Sequence, residues 1–439
     1  MRQMKDSGIE WIGEIPESWD VRKINSVVPI ITDFVASGSF ADLRENVQYL
    51  DEPDYAMLVR TADLSGTRDN TVYISKESYE FLSNSNLFGG EVILSNIGSV
   101  GNVFYYEPLY ERSSLAPNAI MLNGTPCNKF LYYWFLCPIV NEELKRIGSH
   151  AVQLKFNKTQ LRQMPMLCPP VETQQSIASY LDRQCAHIDN IIEKTKASIE
   201  EYKKLRQAVI TQAVTKGVRG DRAMKDSGIE WIGEIPEEWE IVKLKRISIR
   251  IGDGLHSTPE YDENGEYYFL NGNNIGSDTL IFKENTDRLN EEEYLKYKPS
   301  VLTDNTVLIT LNGATFGKTS FYNNEKVLLG KSAGYITLKK EHSRKFIRYY
   351  LASIPAKIIM DLSLNGTTIA NLSLTTLNNF STPLPCIEEQ IEIAAYLDKK
   401  CAEIDRLISK KEQFLTELES YKKSMIYEYV TGKKEVPTA

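Results

Sequence analysis

Met4–Trp19 reads MKDSGIEWIGEIPESW, and Met224–Trp239 reads MKDSGIEWIGEIPEEW. Fifteen of these sixteen positions are identical, and only Ser18 and Glu238 differ. The two copies lie much farther apart than the roughly 20–50 residues of a solenoid repeat. The sequence therefore contains two copies of one structural unit.

A second, more divergent repeat closes each half of the chain. Residues 169–189 return as residues 385–405, and both stretches contain Tyr-Leu-Asp followed by Cys-Ala-x-Ile-Asp. The segments between the repeats, roughly 20–168 and 240–384, have largely different sequences. We expect the two halves to share a scaffold and to differ in function within these segments.

Length and composition restrict the class of protein. The chain has 439 residues, is 42% hydrophobic and has a formal net charge of −8, which suits two to four domains with cores of their own. The acidic balance argues against a simple nucleic-acid binder, although local charge decides contact with phosphates. Because the sequence has no signal peptide and no apolar run of about 18 residues, we predict a soluble, cytoplasmic protein with no membrane partner.

Both differing segments predict mixed α/β domains, because short β-type runs alternate with turn residues. The predicted strands of the first segment are Val27–Ile31, Tyr55–Val59, Thr71–Ile74, Val92–Leu94, Val103–Tyr106 and Ala119–Leu122. Those of the second are Tyr267–Leu270, Val307–Leu311, Val327–Leu329 and Tyr335–Leu338. One amphipathic helix is predicted in each segment, over Phe130–Ile147 and Ser343–Asp361.

The second repeat predicts a long helix in each half, because its apolar residues recur every seven positions at the a and d spacing of a coiled coil. Each helix should have about 40 residues and a length of about 60 Å. We predict that the two helices pair through Cys185, Ile188, Ile192, Ile199, Tyr202, Cys401, Ile404, Ile408, Leu415 and Leu418. Polar residues interrupt both rows at equivalent places, including Arg206 and Lys422, and such positions fix register and partner. Cys185 and Cys401 fall on apolar positions, which favours buried thiols over metal ligands.

Motifs for catalysis are missing from the sequence. Thr310–Thr319, TLNGATFGKT, resembles a P-loop, but Asn312 occupies the place of the first required glycine. The residues after Thr319 predict a strand and a turn, where a P-loop needs a helix. The sequence also lacks an adenine-methyltransferase tetrapeptide, a Gly-x-Ser-x-Gly elbow and His/Cys metal spacing. We predict no enzymatic activity, no bound cofactor and no metal.

Binding residues are easier to identify than catalytic ones. Between Leu144 and Val171 the sequence has no acidic residue, a pattern typical of a strip that contacts phosphates, with a solvated positive face as the alternative. The basic candidates are Lys145, Arg146, Lys155 and Lys158, with Arg162 in the same strip. The equivalent stretch of the second half has no charged residue and is rich in Asn and Thr, which bond base edges or sugars; ordinary loop is the alternative. The polar loop candidates are Arg60, Asn96, Ser99, His256, Ser257, Thr258, Asn273, Asn312, Lys318, Asn365, Thr367 and Asn371.

The complete pattern resembles the DNA-specificity subunit of type I restriction–modification enzymes. It carries two copies of SGIEWIGEIPE-x-W, each followed by a divergent domain and by a helix that contains Gln-x-x-Ile-Ala-x-Tyr-Leu-Asp. The first copy of the helix has Thr173 where the second has Glu389. The resemblance covers essentially the whole chain, although the differing segments resemble target-recognition domains mainly in layout.

This resemblance implies a non-catalytic, pseudo-two-fold α+β subunit. Its target-recognition domains would be residues 1–168 and 223–384, and its antiparallel helices residues 169–222 and 385–439. Each domain would read one half of a bipartite, asymmetric site in double-stranded DNA. The helices would set the spacer and dock two modification subunits, which carry S-adenosylmethionine and methylate adenine. Restriction subunits would add translocation and cleavage driven by ATP, so that ATP and magnesium are expected on partner subunits only. A coiled-coil scaffold whose differing segments bind protein is the alternative.

Overall fold

A computed structural model describes residues 3–67, 69–150, 154–297, 302–313, 316–363 and 371–437. The chain divides into two compact units: unit 1 is Met1–Thr195 with Gln413–Ala439, and unit 2 is Lys196–Glu412. Each unit contains one mixed α/β domain and part of each long helix. The units therefore differ from the four segments proposed from the sequence. Within the described ranges, no helix is both long and apolar enough to cross a membrane.

The sixteen-residue repeat folds as a two-stranded antiparallel hairpin in both units. Its strands are Met4–Asp6 with Glu14–Pro16, and Met224–Asp226 with Glu234–Pro236. Trp19 closes the first copy and is fully buried in one core with the end of the second long helix. Trp239 is equally buried beside the end of the first long helix. Both copies thus fix a helix end to a domain, which explains why their sequences agree.

Two sheets form the domain of unit 1. One is antiparallel, with strands in the order Val103–Tyr105, Val92–Ser95, Ala119–Asn123 and Ile30–Asp33. The other has the order Tyr49–Leu50, Tyr73–Ile74, Ala56–Val59, Ser113–Leu115 and Asn86–Leu87, and its third and fourth strands are parallel. Two further antiparallel pairs are Asp20–Lys23 with Pro165–Cys168, and Ser149–His150 with Leu154–Lys155.

The domain of unit 2 repeats this topology. Its four-stranded antiparallel sheet has the order Ser248–Asp253, Ala333–Leu338, Thr306–Thr310 and Thr319–Phe321. The smaller sheet has the order Arg288–Leu289, Tyr267–Leu270 and Val327–Leu329, with the last two parallel. Glu240–Lys243 pairs with Ser381–Leu384. The register also matches, because Ala119 lies opposite Ser95 in unit 1 and Ala333 opposite Thr310 in unit 2.

Short helices connect these strands. Those of unit 1 are Ile24–Val27, Phe34–Ser37, Phe40–Asn46, Thr61–Leu64, Lys76–Phe81, Ser83–Ser85, Asn128–Leu136, Pro138–Arg146 and Lys158–Gln163. Those of unit 2 are Leu244–Ile247, Gly272–Asn274, Glu291–Tyr297, Arg344–Leu351, Ile354–Leu362 and Leu374–Asn378.

The prediction of one amphipathic helix per domain is wrong, because prolines divide both. The helix predicted over Phe130–Ile147 breaks at Cys137, which precedes Pro138 and has a non-helical backbone with ψ of 127°. The helix predicted over Ser343–Asp361 breaks at Ser353, whose side chain accepts a hydrogen bond from a backbone N–H of the following helix. Apolar periodicity continues across both breaks and therefore conceals them.

The strand predictions hold apart from Val27–Ile31. There the chain first makes the helical turn Ile24–Val27, and the strand begins only at Ile30. Pro29 lies between the two and has no backbone N–H to give to a strand ladder. The predicted strand position is therefore wrong by about three residues.

The long helices are Val171–Lys216, with 46 residues, and Ile387–Val430, with 44. At 1.5 Å per residue they are about 69 and 66 Å long. In unit 1 the rings of Tyr180 and Tyr429 lie 4.6 Å apart, and nine residues later the carboxylate of Asp189 contacts Lys422 at 2.6 Å. The sequence numbers change in opposite directions, so the helices are antiparallel there. The predicted fold class, two mixed domains with two long antiparallel helices, is confirmed.

Candidate nucleic-acid interface

In unit 2, several polar loops meet at one edge of the sheets, around the turn that contains Ser332. Leu311, which follows the strand Thr306–Thr310, donates its N–H to the carbonyl of Ser332 at 2.9 Å. Gly272, which follows the strand Tyr267–Leu270, donates its N–H to the hydroxyl of Ser332 at 2.8 Å. The ends of separate strands therefore present their loops side by side.

These loops carry most of the polar candidates of the second half. His256, Ser257, Thr258, Asn273, Lys318 and Asn371 are exposed, and Asn312 is half-buried. The predicted residues Asn365 and Thr367 lie outside the described residues.

Unit 1 forms the same edge from its own loops. Asn96, directly after the strand Val92–Ser95, donates its backbone N–H to the carbonyl of Asn118 at 3.1 Å. Its side-chain amide donates to the carbonyl of Phe156 at 3.2 Å. These bonds bring the loop of Asn96 and the exposed Ser99 beside the exposed Lys155.

Equivalent positions on the two edges carry different side chains. In unit 1 the backbones of Lys155 and Ile97 form an isolated antiparallel β-bridge. In unit 2 Asn371 and Asn312 form the equivalent bridge. Arg60 and Asn271 both precede a short helix, and the backbone N–H of each bonds the side chain three residues ahead, at 2.8 and 3.0 Å. One scaffold therefore presents two chemically different surfaces.

Arg60 already has a partner within the protein. Its guanidinium bonds the fully buried carboxylate of Asp63 at 2.7 and 3.0 Å and the carbonyl of Asp69 at 3.2 Å. The bond to Asp63 raises the pKa of Arg60. Arg60 therefore stabilises its own loop. Direct contact between this residue and DNA stays a prediction.

The basic strip predicted after Leu144 is partly neutralised. Arg146 pairs with Glu143 at 2.6 Å, and Lys158 pairs with Asp33 at 2.7 Å. Both acids come from outside the stretch that lacks acidic residues. Lys145 and Lys155 are exposed, and the described residues show no ion pair for either. Arg162 is also exposed but donates to the carbonyl of Ile31 at 3.2 Å, so Lys145 and Lys155 stay the first candidates for contact with phosphate.

An aspartate at the same place in each domain holds a basic side chain at this edge. Asp33 ends the first strand of its four-stranded sheet and pairs with Lys158. Asp253 ends the equivalent strand, and its carboxylate lies 2.6 Å from the Nε2 atom of the exposed His256. The sequence did not reveal this correspondence, because the two partners lie on opposite sides of their domains in chain order.

Two residues of these edges were missed by sequence reasoning. Lys331 is exposed in the turn beside Ser332, and Asn118 is exposed in the equivalent turn of unit 1. Asn118 has a φ of 71°, and asparagine is enriched in this left-handed region. The preceding Pro117 was an available turn signal.

The two long helices contact each other within each unit, as predicted. The residues predicted to pair them are not all buried to the same degree. Cys185, Ile188, Ile199, Cys401 and Ile404 are buried, whereas Ile192, Tyr202, Ile408, Leu415 and Leu418 are half-buried. Burial raises the pKa of the Cys185 and Cys401 thiols. Both therefore stay protonated, as expected of buried cysteines that serve packing.

Ion pairs cross between the helices at equivalent positions of the repeat. Asp189 meets Lys422 at 2.6 Å in unit 1, and Arg206 meets Asp405 at 2.9 Å in unit 2. The two basic residues are those that interrupt the apolar rows. Because both acids are more than half exposed, each pair adds only about 0.2–1 kcal/mol of stability. Their main contribution is to favour this antiparallel register.

Each domain is also fixed to a long helix by an equivalent tyrosine. The hydroxyl of Tyr133 donates to Asp182 at 2.7 Å, and that of Tyr349 donates to Asp398 at 2.9 Å. Burial, followed by the bond to the carboxylate, raises the pKa of both tyrosines. These two acids are therefore anchors between domain and helix.

We expect Ile188→Ala to lower the free energy of unfolding of unit 1 by about 2–4 kcal/mol, because the side chain is only 4% exposed. Ile192→Ala, one turn further along and half-buried, should cost about half as much. Urea denaturation of the full-length variants tests this, and equal losses would contradict the packing described.

Known proteins share the architecture and the sequence pattern. A family model described as the type I restriction modification DNA specificity domain matches residues 16–201 and 236–417. The putative type I restriction enzyme MjaX specificity subunit of Methanocaldococcus jannaschii is 28% identical, over 97% of this chain and 96% of that protein. The EcoBI specificity subunit of Escherichia coli is 22% identical, over 98% and 90%.

Solved structures agree in fold. A chain from a study of complex assembly and conformational transition in the type I R-M system has a TM-score of 0.72 at 14% identity, over 96% of this chain and 99% of that one. The HsdS subunit from Thermoanaerobacter tengcongensis has a TM-score of 0.53 at 14% identity, over 96% and 98%.

Proposed function

Because this chain belongs to the type I restriction–modification DNA specificity family, we propose that it selects the DNA sequence on which separate catalytic subunits act. It is a recognition subunit and not itself an enzyme. The observation that carries the proposal is the pair of equivalent polar edges, which keep one backbone arrangement and differ in side chains. Two equivalent edges with different side chains are expected of a protein that recognises two different sequences.

Each edge reads one half of a bipartite site in this proposal. Phosphate contacts position a protein on DNA, while contacts with base edges provide sequence preference. Lys145 and Lys155 suit the first role, and the exposed amides and hydroxyls of unit 2 suit the second. The site is asymmetric because the two edges differ. The long helices set the distance between its halves.

The catalytic chemistry belongs to partner subunits. Two modification subunits, docked along the long helices, bind S-adenosylmethionine, and restriction subunits bind ATP and magnesium. The P-loop-like stretch of this chain continues into the strand Thr319–Phe321, so its Lys318-Thr319 pair does not open the helix that a P-loop uses to bind phosphate. The complex acts in the cytoplasm, where it meets DNA.

Reconstitution with modification subunits tests the function. Methylated adenines, mapped over a whole genome, should define one asymmetric motif with two specific halves and a fixed spacer. DNA binding by the complex should weaken steeply with salt, because lysine and arginine contacts release counterions. A scaffold whose domains bind protein would give neither a motif nor a salt slope.

Lys155→Ala should weaken binding to all DNA sequences alike and reduce the salt slope by about one unit for the lost phosphate contact. Lys158→Ala serves as the matched variant, because the Lys158 ammonium is bound to Asp33 and the side chain is only 26% exposed. We expect it to change stability more than the salt slope. A change in sequence preference with Lys155→Ala would show instead that this lysine reads bases.

A further inference from the structure

Three exposed or half-exposed asparagines lie together on the edge of unit 2. Asn312 and Asn371 bridge each other through their backbones. Asn273 belongs to the loop beside them, since a Cβ atom on the preceding Gly272 would lie 3.6 Å from the carbonyl of Asn312. The three residues come from separate loops of the sequence and are brought together by the fold.

The side chains of Asn273 and Asn371 are exposed, and that of Asn312 is half-buried. Among the described residues, no hydrogen bond engages the side chain of Asn273, Asn312 or Asn371. Neighbouring asparagines are different: the carboxamide of Asn274 is buried and bonds the backbone of Asn271 and Ile281, at 3.0 Å in both cases. The loop thus uses one asparagine to hold its shape and leaves another exposed.

Unit 1 has none of these amides at the equivalent positions. Ile97 stands where unit 2 has Asn312, and Lys155 stands where it has Asn371. Ala62, the second residue of the short helix after Arg60, corresponds to Asn273. The three amide side chains are therefore not required for the fold, because unit 1 forms the same scaffold without them.

We propose that Asn273, Asn312 and Asn371 are the base-reading residues of unit 2 and that they recognise adenine in its half-site. A carboxamide offers one donor and one acceptor side by side, which matches the N6 amino group and N7 of adenine in the major groove. Exposed Lys318 and Lys331 flank the three residues and suit the adjacent phosphates. This inference rests on the proposed function and specifies which chemistry performs it in one half.

The test uses the full-length chain in complex with modification subunits and a library of randomised DNA sites. The half-site of unit 2 should contain A·T pairs, and each Asn→Ala substitution should relax the preference at one of them by about 10- to 100-fold. Asn371→Asp keeps the size of the side chain and removes its donor, so it should lose the preference as well. The other half-site should stay unchanged in every variant.

Asn264→Ala is the matched control. Asn264 is also exposed, but it precedes the strand Tyr267–Leu270, whereas Asn273 follows it. This variant should bind like the original protein. A bipartite motif whose preferences survive all three substitutions, or uniform loss on every sequence, would overturn the assignment while leaving the proposed function intact. Absence of any motif with the unaltered chain would instead overturn the proposed function.

Discussion

Exchanging residues 240–384 for the corresponding segment of another specificity subunit should replace one half of the methylated motif and leave the other half unchanged. The junctions are structurally favourable, because Glu240 pairs directly with Leu384 across one antiparallel ladder. The exchanged segment therefore begins and ends side by side. Its removal leaves the repeated hairpin and both long helices in place.

The reciprocal exchange is the control for this experiment. Residues 20–168 begin and end in the same way, with Asp20 opposite Cys168. Their replacement should change the other half of the motif. Methylome mapping of both chimaeras with a common set of modification subunits gives the answer. Independent reading by the two domains would be refuted if either chimaera changed both halves.

A fragment of residues 1–222 should form a dimer and direct methylation to an inverted repeat of the first half-site. In the complete chain, the core of unit 1 is filled by the end of the second long helix, through Met425, Ile426 and Tyr429. The fragment lacks these residues and leaves apolar surface exposed. The end of the first long helix is their repeat equivalent, so a second copy of the fragment can replace it.

The charges of the helices support this replacement. Asp189 loses Lys422 in the fragment, but Arg206 is the repeat equivalent of Lys422 and pairs with Asp405 in the complete chain. In a two-fold dimer, Asp189 of each copy would meet Arg206 of the other. The antiparallel register is then retained, and the spacer should stay close to its original length.

Sedimentation and methylome mapping with modification subunits examine the fragment directly. Arg206→Glu should weaken the dimer, and Asp189→Arg in the same chain should restore it, because the combination reverses the charges of both pairs. A stably folded monomer, or a motif that stays asymmetric, would contradict the replacement.

The sequence predicts the scaffold well because the scaffold depends on local patterns. Seven-residue spacing specifies the long helices, and alternation with turn residues specifies most strands. Cys137 and Ser353 show where this reasoning fails, since the apolar pattern continues through both helix breaks. Proline at these places is the better signal, because it acts on backbone geometry and leaves the periodicity intact.

The candidate site is harder to predict, because it is assembled from distant segments. Lys158 appears free in a stretch without acids, yet Asp33, 125 residues earlier, neutralises it. Asn273, Asn312 and Asn371 become neighbours only through strand order. Residue type indicates what a side chain can bind, whereas topology decides which side chains can bind together.

The division of the chain also sets an order for events during its synthesis. Unit 2 is one continuous stretch, Lys196–Glu412, whereas unit 1 needs Gln413–Ala439 to complete its core. Domains usually fold as they leave the ribosome, beginning with the N-terminal one. Here the first domain to be translated is the last to be finished. Until Gln413–Ala439 has been synthesised, the core of unit 1 is incomplete, so a stop codon just before Gln413 would leave unfinished the domain encoded at the start of the message.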